Sequence, residues 1–348
     1  MSAKTSQPAP AEAAKKLHLV CGSGGTRAFL SGAGAISAFD FAGLNDWETI
    51  GGVSGGSIPT LLLASGATPA RIVAQAIDID FSRLLVQTDT LSHAIKTRLR
   101  LRRRTLRRVR EGLVSSHGLG RLLEHVVREW PKNYWTMAVS GNSLFVFTAD
   151  GVFEYVNGQR RIISRKPAPI GLAIRASCAV PGIIEAIEYQ GRHLFDGALS
   201  QFGNCPTGMV DLHFGASTND VVAVDLARYA KRRDRLFMLI GRLISGTIGQ
   251  RRRREEEDLI DAGLVVRPEV NGFQSLDFSL TREQKQEAVL SGFRATVASL
   301  EKSGILAGEK LAQARLACQS FSAFEQLCLS PAEEHPQKRS LLRRLFRR

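Results

Sequence analysis

Cysteine is scarce in this chain, which has five in 348 residues. The five are scattered and no pair has the spacing of metal ligands, which excludes a dense disulfide framework and a cysteine-bound metal as organising features. We therefore expect reduced thiols, as in the cytoplasm, and neither a metal nor another cofactor. Long apolar runs are also lacking, since none approaches the roughly 20 residues of a membrane-spanning helix. Any membrane contact should be peripheral.

Acidic residues are outnumbered, at 33 against 47 lysines and arginines, and the formal net charge is +14. This excess predicts an anionic partner, either a phospholipid surface or a nucleic acid. The densest basic stretch, residues 96–110, has nine basic side chains and no aromatic residue. Because proteins bind single-stranded nucleic acids with stacking aromatics, this composition favours lipid.

The C-terminal residues 338–348 form a second basic segment. Its leucines and phenylalanine fall on one side of a helical wheel and its arginines on the other, which is typical of a helix that lies in a membrane interface. We expect a cytoplasmic protein that associates peripherally with anionic membranes through residues 96–110 and 338–348.

The order of apolar runs predicts an α/β core. Strand-like and helical runs alternate near the start of the chain, a pattern typical of parallel βαβ units. Two later runs have little polar alternation, as expected of strands covered on both faces. The predicted strands are residues 17–22, 47–53, 143–149 and 221–227, and the predicted helices are residues 26–41 and 58–65.

One catalytic domain with two tails is the simplest organisation. We expect a disordered tail over residues 1–16, a catalytic domain over 17–300 and a helical extension over 301–348. Residues 82–135 are mostly helical in pattern and contain the densest basic stretch, so we interpret them as a basic insertion or lid within the domain.

A single serine lies among glycines at the corner between the second predicted strand and helix. The stretch GGVSGGSIP, residues 51–59, has Ser54 with Gly52, Gly55 and Gly56 around it. A glycine-rich turn is one interpretation. The other is a nucleophile elbow, G-x-S-x-G, in which small neighbours allow the serine a strained turn above the sheet. The helix that follows would point the positive end of its dipole at that serine.

A second glycine-rich stretch, GSGGTRAF at residues 22–29, joins the first strand to the first helix. It is not a dinucleotide-binding fingerprint, because Arg27 stands where the third glycine packs the helix on the strand. No Gly-Lys-Ser/Thr follows, which excludes a Walker A loop. Two interpretations remain. One is a plain turn, and the other is an oxyanion hole, in which backbone N–H groups converge on a developing alkoxide.

A nucleophilic serine needs a base. His193 and His213 are the only histidines in plausible downstream positions, and a conventional serine–histidine hydrolase would use one of them. We expect both to be ordinary side chains. Asp196 is the better candidate, since Asp196-Gly197-Ala198 places a carboxylate on a tight turn after a strand. Such a carboxylate can deprotonate a serine directly.

GSGGTR, GVSGG and DGA, in this order, resemble the three sequence blocks of the patatin-like phospholipase family. Further stretches resemble its bacterial members, namely residues 61–73, 173–184, 221–226 and 265–279, so that the resemblance runs from residue 17 to residue 293. It implies a three-layer α/β fold with a mainly parallel central sheet flanked by helices. It also implies a catalytic dyad of Ser54 and Asp196, and an oxyanion hole formed by Gly24, Gly25, Thr26 and Arg27.

The implied activity is that of a serine lipid acyl hydrolase of phospholipase A or lysophospholipase type, a carboxylic ester hydrolase that degrades membrane lipids. The sequence departs from the family pattern at Ser23 and Ala28, where glycines are usual, and at Ala198, a common variant. The first two departures leave an alternative, a catalytically weak or inactive basic protein that binds anionic lipid or nucleic acid. We assign Arg175, like Arg27, mainly a structural role.

Overall fold

The computed structural model of the protein describes residues 16–87, 112–226 and 262–329. Its strands are β1 (Leu17–Cys21), β2 (Trp47–Gly52), β3 (Val86–Gln87), β4 (Val114–Ser115), β5 (Tyr134–Ser140), β6 (Ser143–Thr148), β7 (Gly151–Val156), β8 (Gln159–Ser164), β9 (Ile187–Tyr189), β10 (Arg192–Asp196), β11 (Val221–Val224) and β12 (Leu264–Val266).

The helices lie on both faces of the main sheet and at its ends. They are α1 (Gly25–Ala42), α2 (Ser57–Ala64), α3 (Pro69–Asp78), α4 (Phe81–Leu84), α5 (His117–Val126), α6 (Ile170–Ser177), α7 (Gly208–Phe214), α8 (Arg282–Lys302), α9 (Gly308–Ala317) and α10 (Phe321–Cys328). One apolar core lies between the sheet and α1, α2, α3 and α8, and a second lies on the opposite face beneath α7.

The centre of the main sheet is parallel, in the order β12, β11, β1, β2, β5. In β1, Leu19 and Cys21 face the core on the α1 side and Val20 faces the opposite core, so both faces are buried. This explains why the strand reads as an apolar run without alternation. The strands predicted over 17–22 and 47–53 and the helices predicted over 26–41 and 58–65 are confirmed to within one residue. The strand predicted over 221–227 begins as expected but ends at Val224, and residue 227 lies outside the described residues. The α/β fold with a mainly parallel central sheet flanked by helices is confirmed.

Beyond β5 the sheet continues as an antiparallel meander through β6, β7 and β8. The run predicted as a strand over residues 143–149 is β6, but it pairs with its neighbours in the antiparallel sense. β10 joins the other edge of β5 and carries β9. Tight two-residue turns join these strands, and they have no helical crossover to mark them in the sequence.

The mostly helical pattern predicted for residues 82–135 is only partly correct. α5 is helical, but β3 and β4 form a two-stranded antiparallel ribbon on either side of residues 88–111, and β5 begins at Tyr134. The basic stretch 96–110, the basic segment 338–348 and the tail 1–15 lie outside the described residues, so the structure does not test the roles predicted for them.

Helix α8 crosses α1 at close range. A Cβ at Gly34 of α1 would lie 1.8 Å from the carbonyl oxygen of Val289, and one at Gly292 of α8 would lie 1.9 Å from that of Ser31. Glycine at both positions lets the two backbones touch, which accounts for glycine inside a helix despite its low propensity. The boundary predicted at residue 300 lies inside α8, and α9 and α10 pack on the same core through Ala314, among others.

Candidate active site

Strand β5 brings two distant parts of the chain together. β2 pairs with β5 in parallel, and its last residue, Gly52, lies opposite Thr136. β10 enters the same edge of β5 from the other end, antiparallel, and its last residue, Asp196, lies opposite Ala138. The turn after β2 and the carboxylate at the end of β10 therefore meet where the two strands stop.

Ser54 occupies the turn that follows β2. Its φ of 54° is left-handed, which is costly for a residue that carries a Cβ. The residue is 5% exposed, and its Oγ donates a hydrogen bond of 2.6 Å to Oδ2 of Asp196. A short 3₁₀ turn, Ser54–Gly56, leads directly into α2. The predicted corner between strand and helix is therefore present.

The backbone of Ser54 is held from both sides by buried hydroxyl groups. Its N–H donates to Oγ of Ser177 at 3.0 Å, and its carbonyl accepts from Oγ of Ser57 at 2.5 Å. The Thr136 hydroxyl donates to the carbonyl of Gly52 at 2.8 Å and lies 3.0 Å from Oγ of Ser177. These contacts fix a conformation that the chain would otherwise avoid.

No pattern in the sequence predicts the roles of Thr136, Ser177 and Ser57. Thr136 and Ser177 lie 82 and 123 residues from Ser54, as their positions in the chain show, and serine and threonine are common residues. The one signal for Ser177 in the sequence is its place in residues 173–184, a stretch that resembles the bacterial members of the family.

The glycines of the elbow are required by close backbone contacts. A Cβ at Gly55 would lie 2.0 Å from the carbonyl oxygen of Gly25, and one at Gly56 would lie 2.3 Å from that of Gly22. At Gly52 a Cβ would lie 2.4 Å from a side-chain hydroxyl of α2. The elbow therefore packs directly on the glycine-rich loop that follows β1.

The Asp196 carboxylate is buried, and each of its two oxygens accepts a hydrogen bond. It is 4% exposed, and while Oδ2 accepts from Ser54, Oδ1 accepts from the N–H of Ala198 at 2.9 Å. Burial raises the pKa of Asp196 to about 6, although the hydrogen bonds from Ser54 and Ala198 lower it. At neutral pH the group is thus a carboxylate whose affinity for a proton is well above that of an ordinary aspartate, as suits a general base.

The loop after β1 is anchored at three successive points. The Gly22 N–H donates to the carbonyl of Val224 in β11 at 2.8 Å, and the Ser23 N–H donates to that of Asn204 at 2.6 Å. The third anchor comes from the segment that follows β12. Together they surround Gly24 and Gly25, which are half-buried and form the accessible side of the site.

Thr26 provides the third anchor, which corrects its predicted role as an oxyanion donor. Its N–H donates to the carbonyl of Ser275 at 2.9 Å and is therefore occupied. By contrast, the N–H groups of Gly24 and Gly25 donate to no acceptor within residues 16–87, 112–226 and 262–329. Gly25 has a φ of 59° and is the first residue of α1, so the positive end of that helix lies at the loop. Arg27 is buried in the first turn of α1.

The two departures from the family pattern fit the loop without strain. Ser23 has no left-handed backbone, and its Oγ donates to Oδ1 of Asn204 at 3.2 Å. Ala28 lies inside α1 and is 2% exposed. Neither position requires the conformational freedom of glycine in this fold.

The two candidate histidines do not reach the site. His213 lies on α7, where its Nδ1 is 2.7 Å from the Tyr155 hydroxyl and its ring contacts Phe153. Burial, assisted by the charge of Arg160, lowers the pKa of His213 to about 4. His193 lies on β10, and among the described residues no histidine forms a hydrogen bond with either member of the Ser–Asp pair.

Arg175, on helix α6, links that helix to two loop residues. Its guanidinium pairs with Glu185 at 2.8 Å, and its Nε donates to Oγ of Ser116 at 3.1 Å. Glu185 also accepts from the Ser116 N–H at 3.0 Å. These contacts agree with the structural role that we predicted for Arg175.

Two kinds of feature are absent from the part of the chain that the structure describes. Three or more histidine, cysteine, aspartate or glutamate side chains nowhere converge there as a metal site would require. None of the helices described is both long and apolar enough to cross a membrane.

Comparison with known proteins identifies the family of this chain. Curated proteins yield no match to the chain. The sequence profile described as Patatin-like phospholipase, a family of lipid acyl hydrolases, matches residues 19–211, which is more than half of the protein. The match contains residues 19–21 of β1, the glycine-rich loop, the turn at Ser54 and Asp196. Because it covers more than half of the protein, the chain belongs to the patatin-like phospholipase family.

Proposed function

We propose that this protein is a serine lipid acyl hydrolase of phospholipase A or lysophospholipase type, with Ser54 as nucleophile and Asp196 as its base. The observation that carries the proposal is the 2.6 Å hydrogen bond between Ser54 Oγ and Asp196 Oδ2. The two residues are far apart in the chain, and they meet on the hydrogen-bonding edge of β5 with the serine in a left-handed backbone conformation.

In the first half of the reaction, Ser54 Oγ attacks the carbonyl carbon of a fatty-acyl ester while its proton passes to Asp196. The raised pKa of this carboxyl group makes it a better proton acceptor than an exposed aspartate. The tetrahedral intermediate collapses when the proton moves from Asp196 to the alkoxide of the leaving alcohol. The products are the free alcohol, such as a lysophospholipid, and an acyl ester on Ser54.

The negative oxygen of the intermediate needs hydrogen-bond donors. The N–H groups of Gly24 and Gly25 serve this purpose, because they adjoin the elbow through the contact of Gly25 with Gly55. The N-terminus of α1 adds favourable dipole potential at the same place. Loss of one such donor typically costs about 3 kcal/mol of transition-state stabilisation.

In the second half, Asp196 takes a proton from a water molecule as that water attacks the acyl ester. Collapse of the second tetrahedral intermediate returns the proton to Ser54 Oγ and releases the fatty acid. The free enzyme is regenerated with no change in its oxidation state, and one water is consumed for each ester cleaved.

The test of this proposal is Ser54→Ala, assayed for fatty-acid release from a total lipid extract and for labelling by a fluorophosphonate probe. We expect the variant to lose both, and the native protein to show both. Ser37→Ala is a matched control, because Ser37 is also a buried serine, yet its Oγ donates only to the carbonyl of Ala33 within α1. Lipid cleavage by Ser54→Ala at the native rate would contradict the proposal.

We also propose that the enzyme works at anionic membrane surfaces, to which residues 96–110 and 338–348 bring it. This part rests on the sequence. Each basic side chain near an anionic bilayer contributes about 1 kcal/mol, and residues 96–110 alone contain nine. Co-sedimentation with phosphatidylglycerol vesicles should exceed that with phosphatidylcholine vesicles and should fall at high salt. Equal binding to both vesicles would contradict it.

A further inference from the structure

The oxyanion loop is held by a segment that lies outside residues 19–211, the range of the family match. Ser275, in the stretch between β12 and α8, accepts the N–H of Thr26 at 2.9 Å through its carbonyl oxygen, and the Thr26 hydroxyl lies 3.3 Å from the same oxygen. The carbonyl group also approaches so closely that a Cβ at Gly25 would lie 1.8 Å from it. It is therefore in direct contact with the two-glycine backbone proposed to bind the oxyanion.

This contact is the third of the loop's three anchors, and it differs from the first. The Gly22 N–H donates to the last residue of β11, which the sheet itself holds in place. The Ser275 carbonyl belongs to a segment without regular secondary structure. An oxyanion hole functions only when its donors are held within about 0.5 Å of the correct geometry. The segment that carries Ser275 must therefore be fixed by other contacts.

Asp277 supplies such a contact. Its Oδ2 accepts the N–H of Gln274 at 2.6 Å, and its own N–H donates to the Gln274 carbonyl at 3.1 Å. The two bonds close a turn over residues 274–277, with Ser275 at the second position. Phe273, before the turn, is 8% exposed in the main core, and Phe278, after it, packs against that core. The turn is thus anchored at both ends and closed by one carboxylate.

We infer that Asp277 is a positioning residue for catalysis. It holds the Ser275 carbonyl, which in turn holds Thr26 and sets the direction of the Gly24 and Gly25 N–H groups. The inference rests on the proposed function, because it assigns Asp277 a role in stabilising the oxyanion of the same reaction. Asp277 touches neither substrate nor dyad in this arrangement, and its effect passes entirely through the backbone.

The experiment compares Asp277→Ala with Asp277→Asn in the full-length protein. Alanine removes the acceptor for the Gln274 N–H, whereas asparagine keeps an oxygen at that position. We expect alanine to lower kcat about tenfold, a fraction of the 10² to 10³ lost with a whole oxyanion donor, with KM nearly unchanged. Asparagine should restore kcat to within about twofold of the native value.

Two further measurements separate positioning from general stability. A trifluoromethyl ketone forms a hemiketal with the nucleophile and places an oxyanion in the hole, so its affinity should fall by the same factor as kcat in Asp277→Ala. Amide hydrogen exchange at Thr26 should accelerate in that variant, while exchange at Gly22 should not change. Asp80→Ala is the matched control, because Asp80 also accepts a backbone N–H, that of Ser82, at the start of α4. We expect it to leave all of these values unchanged.

The inference is overturned if Asp277→Ala keeps native kcat and ketone affinity, or if Asp277→Asn loses as much as alanine. Failure of the proposed function looks different, since the native protein itself would then show no hydrolysis that depends on Ser54. In that case amide exchange at Thr26 still tests whether Asp277 controls the loop, because it needs no substrate. Unchanged exchange there would refute the structural step of the inference as well.

Discussion

Two parts of the sheet meet on one edge of strand β5 and contribute different parts of the site. In the parallel part, strands β1 and β2 end in the glycine-rich loop and the elbow, each followed by a helix whose N-terminus points at the site. On the same edge but from the opposite end, β10 arrives from the antiparallel part of the sheet and delivers Asp196. The parallel part holds the proposed nucleophile and oxyanion donors, and the antiparallel part holds the proposed base. Neither part alone contains both members of the proposed dyad.

The largest effect should come from removing the contribution of the antiparallel part. Asp196→Asn keeps the shape of the side chain and a hydrogen-bond acceptor for the Ala198 N–H but cannot accept the serine proton. We expect kcat for ester hydrolysis to fall by about 10³ or more, since general base catalysis and activation of the nucleophile are lost together. Steady-state hydrolysis of a short-chain ester measures the loss. A kcat of Asp196→Asn within tenfold of the native value would show that Asp196 is not the base.

Within the parallel part, Gly55→Ala should disturb the contact between elbow and loop. The added Cβ would lie 2.0 Å from the carbonyl oxygen of Gly25, so the two turns must separate. We expect about a 10²-fold loss of kcat, comparable to that from removal of an oxyanion donor. Gly66→Ala is the control, because a Cβ there meets nothing within 4 Å. Because φ at Gly66 is 78°, alanine there should lower the free energy of unfolding by about 1 kcal/mol and leave kcat unchanged. Equal kcat values for the two variants would contradict this.

Buried hydroxyl groups hold the backbone of Ser54 in its left-handed conformation, and Ser177→Ala removes one of them. The variant leaves the buried N–H of Ser54 without its acceptor, which costs about 1–3 kcal/mol of folding free energy. We expect about a tenfold lower rate of fluorophosphonate labelling, because the elbow can then relax from its left-handed conformation. Ser37→Ala serves again as the comparison, because the Ser37 hydroxyl only donates to a carbonyl within α1. Identical unfolding and labelling in both variants would refute the role of Ser177.

The pH dependence follows from the raised pKa of Asp196, about 6 against an ordinary 3.8. The folded state binds the proton more tightly, so folding stability falls as the pH rises from about 4 to 6 and changes no further above that. Activity moves in the opposite direction, and kcat/KM should rise tenfold per pH unit up to about pH 6 before levelling. Asp196→Asn should be more stable than the native protein at pH 8, on the order of 2–3 kcal/mol, and equal to it at pH 4. Denaturant titration of both proteins at pH 8 and pH 4 measures the sign of this stability difference.

The smallest effects should come from the histidines. His193→Ala and His213→Ala should each keep kcat within about twofold, because neither ring contacts the dyad and His213 is paired with Tyr155. His213→Ala should lower thermal stability, since a half-buried ring in an aromatic cluster is removed. A loss of activity above 10²-fold in either variant would favour a serine–histidine mechanism on this fold.

Much of the parallel part of the fold was predictable from local sequence. A βα unit has a short apolar run, a glycine-rich turn and an apolar helix within about 25 residues, and β1–α1 and β2–α2 both follow this pattern. The elbow is visible for the same reason, because its glycines adjoin the serine. The antiparallel part was harder to predict. β7 and β8 have no apolar run that separates them from helix or loop, and the β3–β4 ribbon was hidden in a stretch that we predicted as mostly helical.

The side chains of the site do not divide in the same way, because residues of both parts were predicted. Ser54 and Asp196 were predicted, one from its glycine neighbours and the other from a motif and a family resemblance. Ser177 and Thr136 were missed because single hydroxyl contacts leave no pattern in the chain. The Ser177 hydroxyl accepts a backbone N–H, and the Thr136 hydroxyl donates to a backbone carbonyl. Thr26 was predicted as an oxyanion donor, but its N–H donates to the carbonyl of Ser275, a partner 249 residues away that local sequence does not reveal.

By itself the sequence determined which residues were able to react and which turns were able to bend, because glycine, serine and aspartate fix local backbone freedom and chemistry. The tertiary structure alone decided which of them meet. The pairing of β2 and β10 on one edge of β5 brings the hydroxyl of Ser54 to the carboxylate of Asp196. Burial at that junction raises the pKa of the carboxyl group, and such a desolvation effect depends on every element packed around it rather than on its neighbours in the chain.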